Sequence, residues 1–115
     1  MSTFHSAGLD FTVDRAGAQV EAPHLIQLDI EYIVLGIDPA TAPEEIGRRL
    51  SKLLGETVDD EEGIFDLAVT KDGALVAALV LACEDEAIEL GGERSAEIDD
   101  DGLATALVRA LESAG

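Results

Sequence analysis

Residues 64–84 read IFDLAVTKDGALVAALVLACE, and whether the second half of that stretch is strand or helix decides the fold. Ile64 to Thr70 and Ala74 to Glu84 flank Lys71, Asp72 and Gly73, and an Asp-Gly pair between two apolar runs marks a β-hairpin. The alanines and leucines of Ala74 to Cys83 favour helix, but the run directly follows a turn and carries Val76 and Val80. A buried strand is the reading adopted, with helix as the alternative. Cys83 is the only cysteine, so no intrachain disulfide framework exists. It reads as a small buried hydrophobe, because its run supplies no histidine or basic residue to stabilise a thiolate. Ala87 to Leu90 continues this strand or forms one more short strand before Gly91-Gly92.

Working towards the N-terminus, Leu25 to Ile37 alternates cleanly: Ile26, Leu28, Ile30, Tyr32 and Val34 share one face, and Gln27, Asp29 and Glu31 share the other. Its later half, Ile33 to Ile37, is apolar on both faces, so a helix or a second molecule is expected to cover that end. Asp38 and Pro39 break the strand. Thr41 followed by Glu44 is a capping-box spacing, with Pro43 in the permitted first turn. The helix that follows places Ile46, Leu50, Leu53 and Leu54 on one face and stops at Gly55. Leu9 to Glu21 alternates on both sides of Arg15, Ala16 and Gly17, which predicts a hairpin, with residues 1–8 as an extended arm ahead of it.

Towards the C-terminus, a second amphipathic helix over Asp100 to Ser113 carries Leu103, Leu107, Ala110 and Leu111 as its apolar stripe. Asp99, Asp100 and Asp101 sit where the positive end of the helix dipole favours them. The pattern predicts one α+β domain over residues 1–115: an approximately five-stranded, mostly antiparallel sheet with two amphipathic helices packed on one face, in the order β-β-β-α-β-β-α. The second sheet face is then expected to meet another chain wherever it is apolar.

Charge bounds the partners. The chain holds 25 Asp and Glu against seven Lys and Arg, a net charge of −18, yet 47% of its residues are hydrophobic. Folding, not disorder, follows from that apolar content. Spread evenly, the carboxylates lie on the order of 15 Å apart, beyond a Debye length of about 8 Å at physiological ionic strength. Self-repulsion is therefore weak in ordinary buffer. A salt-rich cytoplasm, an acidic face matched to a basic partner, and simple solubility all accommodate this balance, as does the compositional bias of a GC-rich genome. Nucleic acid and anionic membrane surfaces are disfavoured, because both are bound through Lys and Arg. No apolar stretch is long enough to span a bilayer, and Met1 to Asp10 lacks the basic and apolar regions of a signal peptide. A cytoplasmic or virion location is the resulting expectation.

Catalytic and metal-binding patterns are weak. The acidic clusters Asp59 to Glu62, Glu84 to Glu86 and Asp99 to Asp101 offer hard oxygen ligands, but clustering is expected at this acid content. A calcium loop begun at Asp99 would place Ala104 where the sharp turn needs glycine and Ala110 at the twelfth position, which needs Glu. His5 and His24 form no metal-ligand spacing with each other or with Cys83, and no nucleophile elbow or phosphate-binding glycine loop is present. No cofactor is expected. The one concentration of positive charge is Arg48, Arg49 and Lys52, where Glu44–Arg48 and Glu45–Arg49 have the favourable i,i+4 order.

The leading expectation is a non-enzymatic protein-binding or assembly protein, such as a small adaptor of a larger particle, for example a viral head or tail component. Its candidate interface residues are Ile33, Leu35 and Ile37, together with Arg48, Arg49 and Lys52, and its partner is another protein or further copies of itself. The alternative is an acidic inhibitor, immunity protein or secretion chaperone that binds a basic client. By fold-level analogy, the element order is similar to that of small acidic secretion chaperones, although such chaperones begin with a helix and Met1 to Asp10 does not resemble one. A small divalent-metal-dependent enzyme ranks third.

Overall fold

The computed structural model describes residues 3–14, 25–29, 32–38, 40–58, 63–84 and 87–115. Its elements run β1 (Phe4–Ser6), β2 (Leu9–Asp14), β3 (Ile26–Gln27), β4 (Tyr32–Ile33), α1 (Ala42–Leu54), β5 (Ile64–Lys71), β6 (Ala74–Cys83), β7 (Ile88–Arg94) and α2 (Asp100–Ser113). The strands form one antiparallel sheet in the order β1-β2-β5-β6-β7-β3, with β4 also pairing β7. The class is therefore α+β, with seven strands among the described residues in place of the expected five or so.

The Asp-Gly hairpin is the centre of that sheet. Asp72 and Gly73 both take positive φ, 52° and 80°, which is the two-residue turn that matches strand twist, and Lys71 pairs Ala74 across it. Ala74–Cys83 is strand, not helix. It is hydrogen-bonded on both sides, to β5 and β7, and Ala77, Leu79 and Leu81 are buried. Strand β7 runs through Gly91 and Gly92 to Arg94, well past the expected stop at Leu90.

A second hairpin lies earlier than expected. Phe4–Ser6 pairs with Leu9, Asp10 and Phe11 of β2 around Ala7 and Gly8, whose φ angles are 54° and 81°. Part of the expected arm is thus a paired strand, tied down by Phe4 stacked on Phe11 with ring centroids 4.9 Å apart. The expected turn at Arg15, Ala16 and Gly17 lies outside the described residues.

The long alternating strand, Leu25 to Ile37, is divided in two. Ile26 pairs Arg94 and Gln27 pairs Glu93, whereas Tyr32 pairs Glu89 and Ile33 pairs Ile88. The register against β7 thus differs by one residue between the two pairings, and a slip of one reverses which face the following side chains meet. Leu28 is buried before the slip, and Ile33 and Leu35 are buried after it.

Both helices bury their stripes against one sheet face. Ile46, Leu50 and Leu54 of α1 and Leu103, Leu107 and Leu111 of α2 join Phe11, Leu67, Leu79 and Leu90 in a single core. Helix α1 ends at Gly55 in the left-handed conformation, as the sequence implies, but the expected capping box is not formed. The Thr41 hydroxyl instead donates back to the Asp38 carbonyl at 3.2 Å, while the Asp38 carboxylate accepts from Ala40 N. Helix α2 is capped by Asp99, whose side chain accepts from Gly102 N.

Candidate functional site

Among the described residues no helix lies on the second sheet face, and the residues of that face can be read off the register. Asp66 faces Val80, and Val80 faces Gly91; Ile64 faces Ala82, Ala82 faces Glu89, and Glu89 faces Tyr32; Thr12 faces Ala68, Ala68 faces Ala78, and Ala78 faces Glu93. The middle of the face is small and apolar, which makes a low floor. Tyr32, Val80, Ala82, Glu89, Leu90 and Gly91 line a shallow concavity of about 430 Å³ on it. Gly91 opens that concavity, since a Cβ added there would meet nothing within 4 Å. Tyr32 in its lining is 54% exposed, and Ile64, across the ladder from Ala82, is 49% exposed.

The charge on this face is one-sided. Asp10, Asp66, Glu89 and Glu93 lie on it by register, and among the described residues no lysine or arginine does. Its one titratable nitrogen is His5, whose Nδ1 lies 2.7 Å from the Asp10 carboxylate. The described cations lie elsewhere: Arg48, Arg49 and Lys52 on α1, Lys71 at the hairpin tip, Arg109 on α2, and Arg94 turned towards Asp100.

The residues singled out from sequence have different fates. Ile33 and Leu35 are 7% and 8% exposed within one chain, and Ile37 packs partly buried against the same core. A helix-side core therefore covers them, and the exposed apolar residues of that segment are Tyr32 and Val34, the latter 83% exposed. Glu45 takes both arginines: Arg48 donates to it from Nε at 3.2 Å and from Nη2 at 2.5 Å, and Arg49 Nε donates at 3.0 Å. Those two guanidinium groups hold the Glu45 carboxyl down at about 2. Arg49 also donates to the Leu111 carbonyl, so it serves the contact between the helices; Lys52 remains exposed.

The remaining chemistry-bearing groups have structural partners or no neighbours of a useful kind. Burial, with Glu84 nearby, pushes the Cys83 thiol up, away from the reactive thiolate. Asp100 accepts from Arg94 Nε and from Asp29 N, and the Arg94 hydrogen bond holds its carboxyl below the usual range. Asp59 to Glu62, Asp85, Glu86 and His24 lie outside the described residues. Among the described residues no group of three or more His, Cys, Asp or Glu is placed to hold a metal ion, and no helix is long and apolar enough to cross a membrane.

Alternating periodicity should have found the open face, but the one signal that marks it, Ala68, Ala78, Val80, Ala82 and Gly91, reads as ordinary sheet interior until the helices are placed. In comparisons with protein families, curated proteins and solved structures, none matches this chain.

Proposed function

We propose that the chain is a non-enzymatic protein-binding or assembly protein, of the kind that serves as a small structural adaptor in a larger particle. The observation that carries this reading is the sheet face opposite the helices: a partly exposed apolar floor of Ala78, Val80 and Ala82 with the exposed Tyr32 and Ile64 beside it. Apolar surface gathered on one face is costly to leave in water and marks a place where another surface fits. Small side chains on a pleated sheet also permit close approach, which is how sheet faces pack on a partner at about 10 Å.

Light scattering on the eluting protein across a range of concentrations and salt, together with affinity capture from native extract, tests the reading. The expected result is an assembly or a saturable partner. A monomer under every condition with nothing captured overturns it.

A further inference from the structure

Granting the binding role proposed above, the open face also specifies the chemistry of its partner. The partly exposed floor formed by Ala78, Val80 and Ala82 is apolar, whereas the charged side chains around it, Asp10, Asp66, Glu89 and Glu93, are all carboxylates. We infer that this face docks a protein segment with apolar anchors flanked by lysine or arginine.

The geometry assigns a place to each part. An anchor seated over Gly91 rests on Val80 and Ala82, in the concavity bordered by Tyr32. Tyr32 lies directly across the ladder from Glu89, so a cation beside that anchor meets an aromatic ring and a carboxylate together. Asp66 lies across the ladder from Val80 and Glu93 across from Ala78, which puts acid on both sides of the floor. Complementary charge of this kind speeds encounter and rejects wrong partners, while the apolar contact supplies the hold.

The same charges argue against other occupants. Two copies placed face to face would bring carboxylates against carboxylates, with no lysine or arginine from either described face to meet them. On the helix side of another copy, Arg48 and Arg49 are already bonded to Glu45, and the exposed Lys52 and Arg109 stand among the acids of helices α1 and α2, so a second copy is kept as an outcome of the test below. Phosphate-rich nucleic acid and anionic lipid are repelled outright.

Selection from a random peptide library displayed on phage, against the folded full chain, tests this directly. Enriched peptides are expected to combine Leu, Ile, Val or Phe with flanking Lys or Arg, and to shift the backbone amide resonances of Tyr32, Ala82 and Gly91. Gly91→Leu, which fills the concavity, is expected to weaken the best peptide about tenfold or more with the circular dichroism spectrum unchanged. The double variant Glu89→Lys, Glu93→Lys is expected to weaken it and to flatten its salt dependence. Enrichment of acidic or uncharged peptides, unchanged affinity in both variants, or no peptide selected at all overturns the inference. So do concentration-dependent shifts at Tyr32 and Gly91 without peptide, which would make a second copy the occupant. The broader binding reading fails only if scattering and native capture also show no partner, so the two outcomes stay separate.

Discussion

Arg49 of α1 donates from Nη1 to the carbonyl oxygen of Leu111 at 3.3 Å, so the C-terminal end of α2 takes its cation from the neighbouring helix. Helix α2 has no basic residue in its own last turn. The terminal carbonyls of a helix carry partial negative charge and lack intrahelical donors, so a guanidinium brought there both fills a hydrogen bond and opposes the dipole. Arg49 is only 14% exposed, which limits solvent screening. Arg49→Ala is therefore expected to destabilise the fold by about 1–2 kcal/mol, and Arg49→Lys, which loses the fork geometry, by a smaller amount. Urea unfolding followed by circular dichroism measures both.

Two carboxylates tie stability to acid pH. Glu45 is held at about 2 against an ordinary 4.5 by Arg48 and Arg49, and Asp100 is held below its ordinary 3.8 by Arg94. A carboxyl whose folded value is depressed stabilises the fold above its unfolded value and loses that contribution as pH falls towards the folded one. The window opens just below 4.5 and extends to about 2. Because acid also relieves repulsion among the other carboxylates, the wild-type curve alone mixes the two effects. The difference from Glu45→Gln and Asp100→Asn isolates the first: both variants should melt below wild type at neutral pH, with the gap closing through this window. A gap that stays constant with pH would contradict the assignment.

The adjacent glycines of β7 have opposite tolerances. Gly92 sits at φ 119°, and a Cβ there would lie 2.0 Å from the Ala78 carbonyl oxygen. Gly91 has open space at the same position on the outer face. Gly92→Ala combines backbone strain with a backbone clash and is expected to cost about 3 kcal/mol or more. Gly91→Ala is expected to be neutral or to stabilise by up to about 1 kcal/mol by restricting the unfolded chain. Thermal melts of the two single variants give the comparison.

What the sequence made legible was local. The Asp72-Gly73 turn, the stop at Gly55 and the stripe Leu103, Leu107, Ala110 and Leu111 each depend on residues a few positions apart, and all are found. The Thr41 cap is absent because Thr41, at ψ 1°, lacks the extended backbone of an N-cap, and its hydroxyl is turned to donate to the Asp38 carbonyl. The hairpin at Ala7-Gly8 was hidden because alanine rarely takes positive φ, which leaves Gly8 as its one turn signal. The open face was hidden for a different reason: its position depends on which side of β5 and β6 the two helices cross, a long-range choice that periodicity does not encode.

The slip between β3 and β4 is the point where sequence pattern and structure disagree most, and a pair of neighbouring substitutions resolves it. Uninterrupted alternation from Ile26 would put Tyr32 and Val34 on the face of Leu28; the register with β7 instead turns Ile33 and Leu35 into the core. Leu28 N still donates to Gly92 O at 3.0 Å, but the next amide, Asp29 N, leaves the ladder for the Asp100 carboxylate. Ile33→Ala, at 7% exposure, is then expected to cost about 2–4 kcal/mol, whereas Val34→Ala, at 83%, should change stability by no more than about 0.5 kcal/mol. The reverse order of effects in urea unfolding would restore the uninterrupted strand.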